Sequence, residues 1–456
     1  MFDHQEELDQ YLENIEALIK NKQYARLRDL FLPMEPADIA LLLEEAGEEE
    51  MPLLYRLLPK ELAAEVFVEL ESDSQEMLIN GFSNTELQEV LDELYLDDAV
   101  DIVEEMPASV VIRILDRATP EMRKSINEIL KYPEDSAGSI MNMEFLSLKK
   151  DMTVEDAFKR IRRIGGDMET INILYVTDPT RHLLGVLSVR DLLLAEEDDL
   201  IEEIMDPDVV WAKTMDDKED VAQALNKYGF LALPIVDMEQ RLVGIVTVDD
   251  AMDVIEEETT EDFEKMAAML PSDKPYLKAG VFDTWKARLP WLMILMLSSM
   301  VTGGILLKYE NAFSVIPLLV TFIPMLMDTG GNSGSQASTM IIRGMAVGEV
   351  EPADILKVMW KEIRVGMLCG LSLALVNFVR LMIQYPGQVL ICLTVVISLF
   401  CTVIIAKTIG CVLPIAAKTI HLDPAIMASP MITTIVDACS LMIYFQLACH
   451  LLNMKA

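Results

Sequence analysis

The run Pro324-Met325-Leu326-Met327-Asp328-Thr329-Gly330-Gly331-Asn332-Ser333-Gly334-Ser335-Gln336 sits inside an apolar stretch that starts at Ala312 and closes at Ile342, just before Arg343. A stretch of that length crosses a bilayer, yet its middle is rich in glycine, amide and hydroxyl groups. Hydrocarbon offers no water to an unpaired backbone group. A polar break at that depth survives only where it lines a cavity or is covered by protein. The residues predict either a broken helix, whose carbonyls supply oxygens beside Asn332 and Gln336, or a glycine kink for close helix packing. Oxygen-only surroundings with no Cys or His suit a hard cation such as Mg²⁺ or Ca²⁺.

Asp437 adds weight to the first alternative. It lies inside the last apolar run, Pro424 to Leu452. A carboxylate at membrane depth costs about 2.5–3.5 kcal/mol on insertion scales and marks a functional site by default. The plainer reading is a carboxylate satisfied by Thr433, Thr434 or Ser440 nearby. Five runs are long enough to span: 289–307, 313–342, 363–383, 388–410 and 424–450. With the N-terminus inside, Lys286, Arg288, Arg343, Lys357, Lys361, Arg364, Lys407 and Lys418 fall at cytosolic ends, against Lys308, Arg380 and Lys455 outside. That bias follows the positive-inside rule, and an odd number of spans places the C-terminus outside.

Charge divides the chain. The net charge of −38 is confined to the first 275 residues, because the remainder carries slightly more Lys and Arg than Asp and Glu. So acidic a half argues against a nucleic-acid footprint and attracts cations, although most of these carboxylates belong to a solvated surface in any case. All six cysteines lie in the apolar half with no CxxC pair, which predicts packing residues rather than disulfides or a zinc site. No secretory signal is read in the acidic, amphipathic first residues, so the acidic half is expected in the cytosol. The four histidines, His4, His182, His421 and His450, are scattered and no nucleophile motif accompanies them. Enzyme chemistry is not expected.

Along the chain, residues 1–131 read as short amphipathic helices, among them Leu8–Lys20, Pro36–Ala46, Lys60–Leu70, Asn84–Glu93 and Asp97–Glu105. Stacked helix pairs forming a small superhelix are expected. Residues 132–256 alternate strand-like runs with helices Val154–Ile164 and Lys218–Tyr228. The unit occurs twice, as Leu184-Gly185-Val186-Leu187-Ser188-Val189-Arg190-Asp191 and Val243-Gly244-Ile245-Val246-Thr247-Val248-Asp249-Asp250. It resembles a tandem CBS pair, a fold that often senses ligands. A helix then follows over 249–275, with acids at spacings of three and four that stack Asp250, Asp253 and Glu257 on one face. Like charges so placed repel unless cations sit beside them. The plainer reading is an exposed acidic linker.

Pro324-x-Leu326-x3-Gly330-Gly331-Asn332-x-Gly334-x-Gln336, Arg343-Gly344-x-Ala346-x-Gly348, Leu422-Asp423-Pro424-Ala425 and Pro430-x2-Thr433-x3-Asp437 occur in this order. On these four motifs the chain resembles the MgtE family of Mg²⁺ channels and transporters over nearly its whole length. The resemblance implies a multi-domain fold: an α-helical superhelix N-domain (1–131), an α/β tandem CBS pair (132–256), a connecting or plug helix (249–275) and a transmembrane pore domain of five helices (276–456). It implies a homodimer in the cell (inner) membrane that moves Mg²⁺ into the cytosol and closes when cytosolic Mg²⁺ bridges its acidic domains. Asp437 then selects the ion, with Asn332, Gln336, Thr433 and Asp328 on the pore wall.

Further metal-binding carboxylates are implied at Glu65, Asp97 and Asp101 in the N-domain and at Glu219 and Asp250 in the CBS pair. Asp253, Glu256, Glu258, Glu261 and Asp262 are implied on the plug helix, and Asp423 at the membrane edge. Two positions depart from many relatives. Asp328 stands where they carry a small residue, and is expected either at a pore mouth or paired to Arg343. Gly229 stands where some carry an acid, which weakens one sensor site. CBS pairs also bind adenine nucleotides, so ATP is a further candidate ligand. The competing functions are transport of another divalent cation such as Co²⁺ or Ca²⁺, and a membrane-tethered nucleotide sensor that conducts nothing.

Overall fold

The computed structural model describes residues 5–272, 276–277, 279–310, 316–427 and 429–453. The chain divides into two compact units, Met1–Ile255 and Glu256–Ala456.

Short amphipathic segments punctuated by Pro and capping residues make the first part of unit one all-helical. Its helices are α1 (Gln5–Lys20), α2 (Tyr24–Phe31), α3 (Pro36–Ala46), α4 (Met51–Tyr55), α5 (Lys60–Val68), α6 (Ser72–Gly81), α7 (Asn84–Leu91), α8 (Leu96–Glu105), α9 (Ala108–Arg117) and α10 (Pro120–Ile129). Proline at the first helical position starts α3 and α10 without losing a bond. At α7 a capping box closes both ways: Ser83 Oγ accepts from Glu86 N at 3.2 Å, and Glu86 Oε2 accepts from Ser83 N at 2.7 Å. Helices α1, α3, α5, α7 and α9 pack each on the next, giving the stacked superhelix expected. One continuous core holds Phe31, Leu43, Phe67 and Ile114 together with Leu225, Ile235 and Val246 of the second α/β repeat.

The α/β repeats follow. The first comprises β1 (Phe145–Lys149), α11 (Val154–Ile164), β2 (Thr170–Thr177), β3 (Leu183–Ser188) and the short helices α12 (Val189–Leu194) and α13 (Ile201–Ile204). The second comprises β4 (Ala212–Lys213), α14 (Lys218–Tyr228), β5 (Ala232–Val236) and β6 (Leu242–Thr247). In each repeat the first strand pairs parallel with the second, which pairs antiparallel with the third. The duplication extends to single atoms. A Cβ built at Gly185 would lie 2.8 Å from Met205 Sδ and 2.9 Å from Asp206 O; one at Gly244 would lie 2.8 Å from Met141 Sδ and 2.9 Å from Asn142 O. Each glycine therefore lets a loop cross its strand at backbone distance. The loop bonds there, with Asn142 N donating to Ile245 O at 2.8 Å and Val186 N to Asp206 O at 2.9 Å.

Helix α15 (Val248–Met266) is the expected acidic helix. It stops short of the expected end at 275 because Ala268 takes a left-handed conformation, φ +55°, which closes a helix C-terminus. Unit two continues with α16 (Val281–Lys308), α17 (Ile323–Ala346), α18 (Ile355–Gln384), α19 (Val389–Thr419) and α20 (Ser429–Leu451). Among the described residues four stretches are long and apolar enough to cross a membrane: Val281–Lys308, Pro352–Gln384, Val389–Thr419 and Pro424–Leu451. The polar middle of α17 keeps it outside that group, although its 24 residues span about 36 Å. Helix α17 packs against α19 and α20, α18 packs on α19, and α16 on α20. Tyr444 anchors this packing, its buried hydroxyl donating to Leu319 O at 2.9 Å.

Lys455 and residues 313–315 of the expected second span lie outside the described residues. Lys407 does not sit at a cytosolic helix end as expected: it is 4% exposed, with a full helical turn and more of α19 on either side.

Gly244→Ala is expected to lower the stability of the full chain by about 1–3 kcal/mol, since the added methyl must displace backbone. Thermal unfolding in detergent reads this out, and an unchanged melting temperature would refute the close approach.

Candidate functional site

The first site forms where α8, the start of α15 and two loops meet within unit one. Helix α8 turns Asp97, Asp98 and Asp101 to one side, and α15 brings Asp249 and Asp250 in its first turn. Asn142, fully buried, organises the group. Its Nδ2 donates to Asp97 Oδ2 at 3.0 Å and to Glu169 Oε2 at 3.1 Å, while its Oδ1 accepts from Glu144 N at 2.6 Å. Asp250 Oδ2 accepts from Thr247 Oγ1 at 2.6 Å and Thr247 N at 3.2 Å.

None of Asp97, Asp98, Asp101, Glu169 and Asp250 is ion-paired among the described residues. Burial comes first and repulsion from Asp97 second in raising Asp98 and Asp250 to about 7 and Asp101 and Glu169 to about 8. Asp97 is itself pushed up by burial, against the hydrogen bonds it takes from Asp98 N and Asn142. No three of these carboxylates converge into a closed ligand set, and the same holds for every His, Cys, Asp and Glu among the described residues. A hydrated Mg²⁺ does not need one, because it binds through one or two carboxylates and keeps several waters.

The expected residues distribute unevenly. Asp97, Asp101 and Asp250 fall in this cluster. Asp253 faces Glu69, whose carboxyl is raised by burial and then by Asp253. Glu65 is exposed on α5 and Glu256 exposed on α15, whereas Glu258 is half-buried. Glu219 lies in the first turn of α14 and accepts from Gln223 Nε2 at 2.9 Å. Gly229 ends α14 in the left-handed region at φ +67°, which accounts for glycine there on backbone grounds. Asp98, Glu144, Glu169, Asp249 and Asn142 escape a reading by spacing, because they arrive from separate segments. The repeat was the available signal, since Asn142 occupies in one copy the place of Asp206 in the other.

A second group lies within unit two. Lys265 Nζ sits 2.6 Å from Glu261 Oε1 and 2.7 Å from Asp423 Oδ2. Asp423 Oδ1 also accepts from Ala425 N at 2.8 Å. Burial works against the Lys265 ammonium, but the bonds to Asp423 and Glu261 outweigh it and hold it above the usual lysine range. Burial, then the Asp423 carboxylate, raises Asp262, with Lys265 and Arg343 opposing. The three expected acids do meet here, and a lysine already bridges two of them.

The third group is transmembrane. Helix α17 is continuous from Ile323 to Ala346, so the expected backbone break is absent. Its glycines serve close packing instead. A Cβ on Gly334 would lie 2.7 Å from Ile432 Cγ2 and 3.3 Å from Ala406 O; one on Gly330 would lie 2.8 Å from Thr402 Cγ2. That proximity to α19 and α20 aligns α17 beside Asp437. Asp437 is half-buried on α20, and its Oδ1 is buried without a hydrogen-bond partner among the described residues. Asp328 is near enough for the two carboxylates to repel. Asp328 does not pair with Arg343: fifteen residues of one straight helix separate them by about 22 Å. Asp328, Asn332 and Gln336 instead form a stripe along a cavity of about 530 Å³ between α17, α18 and α19. Thr433 packs against Gly331.

Comparison with known proteins follows the same division. Residues 323–447 match the family model described as a divalent cation transporter, residues 34–135 the MgtE intracellular N domain, and residues 137–198 and 201–257 the CBS domain. The chain is 38% identical over 431 residues to the magnesium transporter MgtE of Thermus thermophilus, covering 94% of this chain and 95% of that protein. It is 32% identical over 450 residues to the magnesium transporter MgtE of Bacillus subtilis, covering 96% and 97%. A crystal structure of the cytosolic domain of the Mg²⁺ channel MgtE in complex with ATP is 39% identical, with a TM-score of 0.50, covering 52% of this chain and 97% of that one. The relatives that span the whole chain are named as transporters, not as enzymes.

The acidic cluster predicts a pH dependence. A carboxyl whose folded pKa lies above its unfolded value near 4 adds stability at low pH and loses it as pH rises through the folded value. With Asp98 and Asp250 at about 7 and Asp101 and Glu169 at about 8, the full chain in EDTA should melt at progressively lower temperature between about pH 4 and 8. Millimolar Mg²⁺ should remove most of that decline, because a bound cation displaces the protons. A melting temperature constant over this range in EDTA would contradict the cluster.

Proposed function

Because the chain belongs to the MgtE family, we propose that it carries Mg²⁺ through the cell membrane into the cytosol and closes when cytosolic Mg²⁺ occupies its acidic cluster. The observation that carries the reading is Asp437, a carboxylate with a buried, unpartnered oxygen on a helix of membrane-spanning length. A carboxylate so placed is stabilised by an ion that passes it. Two copies facing one axis in a homodimer offer a hydrated divalent cation the one or two carboxylates it accepts. The side chains of Asn332, Gln336 and Thr433 supply neutral oxygens to its water shell, and Asp328 adds charge. Basic residues at the cytosolic helix ends, Lys286, Arg288, Arg343, Lys357, Lys361, Arg364 and Lys418, orient the N-terminal unit inward and the C-terminus outward.

The switch is electrostatic. Mg²⁺ shared among Asp97, Asp98, Asp101, Glu169 and Asp250 holds α8 and α15 together. Its loss leaves like charges facing one another at low dielectric. Two unit charges about 4 Å apart interact by about 4 kcal/mol in a surface-like medium, and about 5.5 kcal/mol inverts a 99:1 population, so a few such contacts suffice. Glu65, Glu219, Asp253, Glu256 and Glu258 widen the acidic field that gathers the cation. Glu261, Asp262 and Asp423 form a separate acidic group within unit two. ATP is a second ligand for the CBS pair, supported by the relative's cytosolic domain crystallised with it.

Two outcomes test this in proteoliposomes. Asp437→Ala should reduce Mg²⁺ flux to that of protein-free vesicles while the protein still inserts; normal flux would remove the pore assignment, and equal flux of Co²⁺ or Ca²⁺ through the unmodified chain would remove the selectivity. Asp101→Asn combined with Asp250→Asn should leave flux uninhibited at millimolar Mg²⁺ on the cytosolic side. Unchanged inhibition would place the sensor elsewhere.

A further inference from the structure

Lys407 is the one buried lysine among the described residues, 4% exposed in the interior of α19. It makes no hydrogen bond or ion pair there. The stem is buried while the ammonium opens on a cavity, and an ionised group inside a membrane marks a functional group whose counter-charge should be sought nearby. Its stem passes α18 at Gly366, with Cδ 3.7 Å from where a Cβ on that glycine would stand. It then reaches the 530 Å³ cavity whose opposite wall is the stripe Asp328, Asn332 and Gln336. Side chains on a helix lean toward its N-terminus. Helices α17 and α19 run in the same direction, Gly330 lying beside Thr402 and Gly334 beside Ala406. Lys407 therefore leans toward the level of Asp328. Glu362 of α18 stands near the level of Lys407, since Gly366 lies on Ile404 and Gly370 on Phe400, but its carboxylate acts on Cys411, one turn further on.

We propose that Lys407 is the resident counter-ion of the transmembrane carboxylates Asp328 and Asp437, and that it sets the affinity of the pathway for the passing ion. The inference rests on the pore reading given above. Two carboxylates and one ammonium leave each chain with a single negative charge at this depth. Two chains then match one divalent cation: the loaded site is neutral, and the empty site carries two charges rather than four. Lys407 thus weakens the hold on Mg²⁺ enough for the ion to leave, which conduction requires. Asp328 is the charge that Lys407 offsets.

The test is Mg²⁺ flux in proteoliposomes across a concentration series, with block by cobalt(III) hexammine, an inert analogue of hydrated Mg²⁺. A unit charge about 10 Å away in a partly solvated site is worth on the order of tenfold in cation affinity. Lys407→Met should therefore lower the half-saturating Mg²⁺ concentration about tenfold, tighten hexammine block to a similar degree and lower maximal flux. Asp328→Asn should move both constants the opposite way, and Lys407→Arg should leave them in place. The double variant Asp328→Asn/Lys407→Met has the original net charge and should return within about twofold of the unmodified chain. It reports on charge even where the single lysine variant folds poorly. Unchanged constants in Lys407→Met, or a double variant displaced as far as either single one, would overturn the proposal. If Asp437→Ala is silent while every Lys407 variant keeps normal constants, only this inference fails; flux through Asp437→Ala would defeat the pore reading itself.

Discussion

Uncompensated negative charge, held at close quarters and only partly in water, is the interaction on which this structure depends. Asn142 draws Asp97 and Glu169 together with its two amide protons and fixes Glu144 with its oxygen, so a neutral side chain assembles an anionic group it cannot neutralise. Burial leaves that group with two ways to relax, protonation or a cation. The same fold that buries the hydrophobic core shared by the helical domain and the second CBS repeat thereby keeps a set of carboxylates reactive toward cations. Stability and the proposed sensing would be coupled, because one packing arrangement produces the core and the carboxylate group together.

The membrane unit meets the opposite constraint. Hydrocarbon forbids unsatisfied polar groups, and α17 answers by keeping its helix whole while bringing Gly330 and Gly334 against α19 and α20. Its polar side chains collect on the remaining face, along the cavity. The pathway proposed here owes its oxygens to side chains, not to a frayed backbone, and its charge to Asp328, Lys407 and Asp437.

Much of this was legible in the sequence where local rules dominate. Helices Pro36–Ala46, Val154–Ile164 and Lys218–Tyr228 have the expected limits because Pro36, Thr153 and Asp217 start them: Thr153 Oγ1 accepts from Asp156 N at 3.2 Å and Asp217 Oδ1 from Glu219 N at 2.9 Å. Strands β1 and β4 were not legible. Strand β4 is two residues long, and a strand that short owes its existence to its partner. The glycine-rich run read equally well as a break or a packing face, and only its neighbours decide between them. Lys407 read as a helix end because a lysine in an apolar run looks like a boundary until the helix is seen to continue past it. Asp98, Glu144 and Glu169 carry no local mark, since what brings them into one cluster is convergence from separate segments.

The bond pair from Lys265 to Glu261 and Asp423 has a consequence for kinetics. A tethered ammonium is present at fixed effective concentration whatever the surrounding solution contains, so this contact closes without drawing an ion from solution. A contact closed from within the chain re-forms at an intramolecular rate each time it opens.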